Sequence, residues 1–314
     1  MPDIYITGET TFDILFENDQ PRKLNVGGSQ LNTSVSLGRL GLPVSLITRL
    51  GTDRLSRLGE TFLLKNGINT SYISRFEGNS RIALAFLDKK KDAEYTFYDD
   101  PGADTVLNFP KAVENDIVLF GSSFALKRDP GEYLSRFIRT ALTAKSIIIY
   151  DPNFRKYDPE KLPELRSIME EHMTKATIVK GSDEDFEAIY GESDPKKIYA
   201  HLSAINKHAI LIFTAGPDDV VVIRNHKAER FPVQNLKPVS TIGAGDGFTA
   251  GLIYGLNREG ITFETLTNPS VNLSLEKIIH NAIAFANNVC QQKENYISKA
   301  FADSVNLRRN QKIE

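Results

Sequence analysis

Short, nearly continuous apolar runs recur along the chain at residues 4–7, 44–48, 116–120, 146–150, 176–179 and 209–213, and helix-period stretches fill the intervals. Runs of this kind alternating with helices predict a mostly parallel sheet covered on both faces, a three-layer α/β sandwich. Each run ends in small or polar residues: Gly8-Glu9, Gly51-Thr52-Asp53, Gly121-Ser122-Ser123, Asp151-Pro152-Asn153, Gly181-Ser182-Asp183 and Thr214-Ala215-Gly216. In an open parallel sheet these ends share one edge, where ligands bind. Two further segments break the rhythm. Residues 81–87 and 94–98 read as antiparallel strands joined by a turn at Lys89-Lys90-Lys91, and residues 9–20 alternate polar and apolar. They predict a small β lid over the rim, inserted from about 9–20 and 70–104 into one domain spanning 1–314. Its exposed edges would suit pairing with a second subunit.

Composition narrows the function. The chain has 314 residues, 41% hydrophobic and 25% charged, with a net charge of −2, so no basic footprint for nucleic acid is expected. The N-terminus lacks a basic segment followed by an apolar core, and no apolar stretch reaches membrane-spanning length. One cysteine, Cys290, allows no internal disulfide and suits a reducing cytoplasm. Five scattered histidines offer no zinc pattern.

The richest segment is Thr241-Ile242-Gly243-Ala244-Gly245-Asp246-Gly247-Phe248, which opens an apolar-periodic helix. Opening N–H groups and the positive end of the helix dipole suit an anion there, and glycine lets the backbone come close. A carboxylate behind such a turn is poorly placed for phosphate unless it takes a proton from an attacking hydroxyl. Alone, the segment is equally an ordinary glycine turn. Asn25-Val26-Gly27-Gly28-Ser29-Gln30-Leu31-Asn32 opens another helix ending near Gly41, and Asp13 could accept hydrogen bonds from a polyol. The spacing of Gly243, Gly247, Gly251 and Gly255 predicts close packing of a helix on the sheet. Walker A, Rossmann and protein-kinase signatures are missing from the sequence.

Gly27-Gly28-x-x-x-Asn32 and Gly243-Ala244-Gly245-Asp246 together resemble the ribokinase, or PfkB-type, sugar kinase family. Gly51-x-Asp53, Asn66-Gly67-Ile68, Asp151-Pro152-Asn153-x-Arg155 and Thr214-Ala215-Gly216 agree, and Glu9, Asp13 and Pro101-Gly102-Ala103-Asp104 point to its fructokinase-like branch. The resemblance implies transfer of the γ-phosphoryl group of ATP to a primary sugar hydroxyl. It makes Asp246 the base and Gly243, Ala244 and Gly245 the anion-binding turn. It assigns the sugar to Asp13, Gly27, Gly28 and Asn32, with Arg155 near the transferred group. Ser182, Thr214, Gly216, Gly245 and Asn287 fall on the nucleotide side, and Asp185 is linked to magnesium through water.

The departures refine this. Ser240 stands where the family often carries the Asp of a monovalent-cation site, so dependence on that cation is not expected. Asp185 is a shortened acid in the nucleotide motif, and Asp219 replaces a usual glycine. Asp99 occupies a lid position where many relatives carry Arg, with no Arg beside it in the segment, which predicts a neutral sugar, fructose first. The alternatives are another neutral furanose, a nucleoside cradled by Phe16, Phe97 and Tyr98, or a sugar-binding relative with weak catalysis.

Overall fold

The computed structural model describes residues 1–87, 93–100, 106–154, 159–234 and 236–310. The apolar runs become strands β1 (Ile4–Thr7), β4 (Val44–Leu50), β8 (Ile117–Gly121), β9 (Ile147–Asp151), β10 (Ile178–Ser182) and β11 (Ile210–Thr214). With β5 (Ile73–Arg75), β12 (Val220–Arg224) and β13 (Lys227–Phe231) they form a nine-stranded sheet in the order β13-β12-β11-β10-β9-β8-β1-β4-β5. From β11 to β5 all neighbours are parallel, while β12 and β13 add an antiparallel edge. Ile4, Ile147, Ile178 and Ile210 face one packed layer, and Val118, Ile148, Val179 and Leu211 face the other. Burial on both faces explains why these strands read as continuous rather than alternating apolar runs.

On the first face, α1 (Ser29–Arg39), α8 (Ala244–Arg258) and α10 (Glu276–Cys290) pack together. Gly247, Gly251 and Gly255 bear on α10 and not on the sheet: a Cβ on Gly251 would fall 2.6 Å from the Ala282 Cα. That corrects the expected helix-on-sheet contact. On the opposite face lie α4 (Arg128–Thr143), α5 (Leu162–Lys175), α6 (Asp183–Tyr190) and α7 (Pro195–Ile205).

A second sheet of four strands has the order β3-β2-β6-β7, from β2 (Thr11–Glu17), β3 (Gln20–Gly27), β6 (Ile82–Leu87) and β7 (Ala93–Tyr98). Its limits differ from the expected lid. Residues 20–27 form a full strand, and residues 73–75 pair with β4 in the main sheet. The Lys89-Lys90-Lys91 turn and the 101–104 stretch lie outside the described residues. Asp53, at the start of α2 (Arg54–Lys65), ties body to lid by accepting from Ser80 Oγ at 2.8 Å and capping Ser56 N–H at 2.9 Å.

Candidate active site

Two helix openings, 217 residues apart in sequence, meet at the sheet rim. Ser29 Oγ, in the first residue of α1, donates to Asp246 Oδ1, and Asn32 Nδ2 donates to Oδ2 at 2.8 Å. Thr33 Oγ1 adds a bond to the Asp246 carbonyl at 3.1 Å. Asp246 keeps some accessible surface, yet burial of its carboxylate pushes its pKa up to about 6, against the hydrogen bonds from Ser29 and Asn32. Asn32 is itself buried, and its Oδ1 has no protein partner. A ligand hydroxyl would satisfy that acceptor. Ser29 was not singled out from the sequence, because a serine after paired glycines reads as an ordinary helix start.

Gly243 is the left-handed residue before α8, with Ala244 and Gly245 in the opening turn, where N–H groups have no acceptor within the helix and that of Ala244 turns back to the Thr241 carbonyl at 3.2 Å. Gly28 holds the same place before α1. Asp13 lies opposite Asn25 on the lid strands and takes 2.7 Å donation from Thr11 Oγ1. Burial raises its pKa, with that bond and Arg81 opposing. Gly27 faces it so closely that a Cβ would stand 2.3 Å from Asp13 Oδ2. Asp13, Gly27, Gly28, Asn32, Gly243, Ala244, Gly245 and Asp246 are thus gathered between the lid and the two helix openings.

The nucleotide-side residues gather less completely. Ser182 and Thr214 are register neighbours at the ends of β10 and β11, and Gly216 occupies the exposed turn beyond. Asn287 lies half-buried in the last turn of α10, and none of the hydrogen bonds described above reaches it. Arg155 lies outside the described residues. Asp185 is buried in a capping box: it accepts from Ser182 N–H at 2.7 Å, Ser182 Oγ at 2.8 Å and Phe154 N–H at 2.7 Å. Three of a carboxylate's roughly four lone-pair directions are therefore held by protein. Asp185 thereby ties the start of α6 to the backbone at Phe154.

Charge at the lid is also rearranged from expectation. Asp99 is not alone: Arg81 Nε lies 3.1 Å from Asp99 Oδ1, with its guanidinium also paired to Glu9 and stacked 4.5 Å over the Phe97 ring. Lys127 reaches the other Glu9 oxygen, and Ser123 Oγ donates to Glu9 at 3.2 Å. Two cations and two carboxylates thus balance. Of the three aromatics expected as a base cradle, only Phe97 shares a lid face with Asp13, through the row Asp13–Ala83–Phe97. Phe16 stacks on Phe86 on the other face, and Tyr98 projects there too.

A parallel α/β core, a lid and a carboxylate in an anion-binding helix opening define a class of phosphotransferase. The profile of pfkB family carbohydrate kinases matches residues 5–300, and the chain belongs to that family. It is a sugar kinase, and the family implies ATP as donor with a divalent ion. The fructokinase of Escherichia coli is 28% identical over 265 residues, covering 82% of this chain and 86% of the relative. An aminoimidazole riboside kinase from Salmonella enterica, solved with its riboside and an ATP analogue, superposes with a TM-score of 0.79 at 22% identity, covering 97% and 99%. A fructokinase from Vibrio cholerae O395, solved with fructose, ADP and calcium, gives 0.79 at 20% identity, covering 97% and 98%. No helix among the described residues is long and apolar enough to cross a membrane.

Proposed function

We propose that the protein is a cytoplasmic, ATP-dependent kinase for a neutral sugar, fructose first, acting on a primary hydroxyl. The observation that carries this reading is the Asp246 carboxylate, raised to about 6 and clasped by Ser29 and Asn32 beside the anion turn. A base of that pKa is ionised at neutral pH yet takes a proton more readily than an ordinary aspartate. In this reading Asp13 accepts from sugar hydroxyls, Asn32 Oδ1 takes another, and the turn Gly243-Ala244-Gly245 offers the N–H groups of its two glycines to charge developing on the phosphoryl group. The second sheet acts as a lid that excludes water. The balanced Glu9–Arg81–Asp99–Lys127 cluster supports a neutral substrate, because no cation there is left over for a carboxylate.

The described residues hold no group of three or more His, Cys, Asp or Glu able to cage an ion. In this reading magnesium is carried on the nucleotide phosphates, with water between it and Asp185. Such an ion neutralises phosphate charge when bound. With Ser240 in place of an acid, the proposal includes no monovalent-cation requirement. The edge strand β7 carries half-exposed Phe97 and Tyr98, which supports a homodimer through the lid, and sedimentation at micromolar concentration reads it directly as two masses or one.

A second reading, a furanose bearing an aromatic base, is favoured by Phe97 on the same lid face as Asp13. ATP turnover with fructose, ribose, nucleosides and 2-keto-3-deoxygluconate separates the readings. The highest kcat/KM is expected for fructose; a nucleoside in first place would replace it, and no sugar-dependent turnover would leave only a binding role.

A further inference from the structure

Beneath the anion turn lies a buried ion pair that the roles above leave unused. Lys180, midway along β10, and Asp151, the last residue of β9, are each 4% exposed and stand with Nζ 3.0 Å from Oδ2. Thr249 Oγ1, one turn into α8, donates to the same Asp151 oxygen at 3.1 Å and also lies 3.0 Å from the Gly245 carbonyl. A Cβ built on Gly245 would be 3.4 Å from Lys180 Nζ. The ammonium therefore sits directly under the opening turn of α8, and Thr249 links that turn to its counter-ion.

Stability alone does not call for such a pair. Two buried charges lose hydration that their attraction repays only with good geometry, and apolar residues of similar size often hold a fold as well. We propose that Lys180 is a positioning residue: paired with Asp151 and tied through Thr249 to Gly245, it fixes the anion turn from below and presents the positive end of the pair to it. This rests on the kinase reading and goes beyond it. The same pair balances the base. The charged groups that act on Asp246 are Asp151, which raises its pKa, and Lys180, which lowers it, while Ser29 and Asn32 bond it from α1. Lys180 faces Asp151, Asp185 and Asp246; burial works against its charge, but these carboxylates outweigh burial and hold its pKa above the ordinary lysine value.

Opposite signs make the test sharp. Lys180→Met, Asp151→Asn and the double variant are assayed in the full chain with ATP and the preferred sugar. Lys180→Met is expected to lose at least about tenfold in kcat, with both KM values within about threefold, since the missing charge acts on the transferring group. The acidic limb of kcat/KM should move up in pH for Lys180→Met and down for Asp151→Asn; ionisation of the nucleotide is common to all forms and cancels. The double variant, with no stranded charge, should regain the thermal stability that either single change loses, yet keep a low kcat. It also decides the matter alone if the single variants fail to fold. A double variant with near-normal kcat, or two limbs moving in the same direction, would overturn the proposal. Absence of sugar-dependent turnover in the unaltered chain would instead overturn the kinase reading itself.

Discussion

A carboxylate pushed up to about 6 by burial gives Asp246 a visible signature in the pH dependence of the free protein. Its folded pKa lies above the ordinary aspartate value of 3.8, so as pH falls it takes its proton early and, in the proposed role, would cease to act as a base. kcat/KM should decline as pH drops through about 6, well above where an ordinary aspartate titrates. Asp246→Asn should lose about a hundredfold or more in kcat while sugar and nucleotide still bind. The Ser29 hydrogen bond favours the ionised form, so Ser29→Ala should move the acidic limb upward with little change in KM. A pH profile unchanged by Ser29→Ala, or normal turnover by Asp246→Asn, would remove Asp246 from the role of base. Asp246 was legible in the sequence because its glycines and helix opening are local. Its partners were not, since nothing local says that the openings of α1 and α8 meet.

Strands buried on both faces declared themselves as apolar runs, and all six expected runs lie in the main sheet. Exposed strands did not. β3 carries Gln20, Pro21, Arg22 and Lys23, a sheet edge with charge and a proline, and such edges lose the apolar alternation that marks a strand. β13 was hidden for a related reason, since Lys227 to Arg230 are exposed, whereas β12 is a buried apolar run, Val220 to Ile223, that escapes the strand–helix rhythm because it follows β11 with no helix between them. The glycine spacing of α8 was read correctly as close packing but assigned to the wrong neighbour, because periodicity reports a face and not what covers it. Gly251 shows the consequence. A Cβ there meets the Ala282 Cα at 2.6 Å and the Asn281 carbonyl oxygen at 2.6 Å, both backbone atoms that side-chain repacking cannot move. Gly251→Val should therefore cost about 1–3 kcal/mol, seen in urea as a lower midpoint with the slope unchanged. A variant as stable as the parent would mean that α8 and α10 separate easily.

Across the whole molecule, the site exists only because lid and body close on each other, and Glu9 is where they are joined electrically. It follows β1 in the body, yet its carboxylate holds Arg81 at the entry to β6 and Lys127 before α4. Sequence reading placed Asp99 at this corner without a cation because Arg81 stands 18 positions earlier on a neighbouring strand, and only the β6–β7 pairing brings them together. On the proposed neutral-sugar reading, selectivity against sugar acids would rest on Glu9 more than on Asp99. Replacing Glu9 by Gln leaves Arg81 with Asp99 but strips Lys127 of its counter-ion, so a substrate carboxylate would find a free ammonium. Lys127 is half-exposed, and such a pair is worth at most about 1 kcal/mol, or roughly fivefold. Glu9→Gln should therefore raise the kcat/KM ratio of 2-keto-3-deoxygluconate to fructose by about fivefold, with the gain shrinking as salt screens the exposed charge. Glu9→Asp, which keeps the charge, should leave the ratio near that of the parent. An unchanged ratio in Glu9→Gln would show that the cluster lies outside the reach of the substrate, and an acid already preferred by the parent would show that its cations are shared and not neutralised.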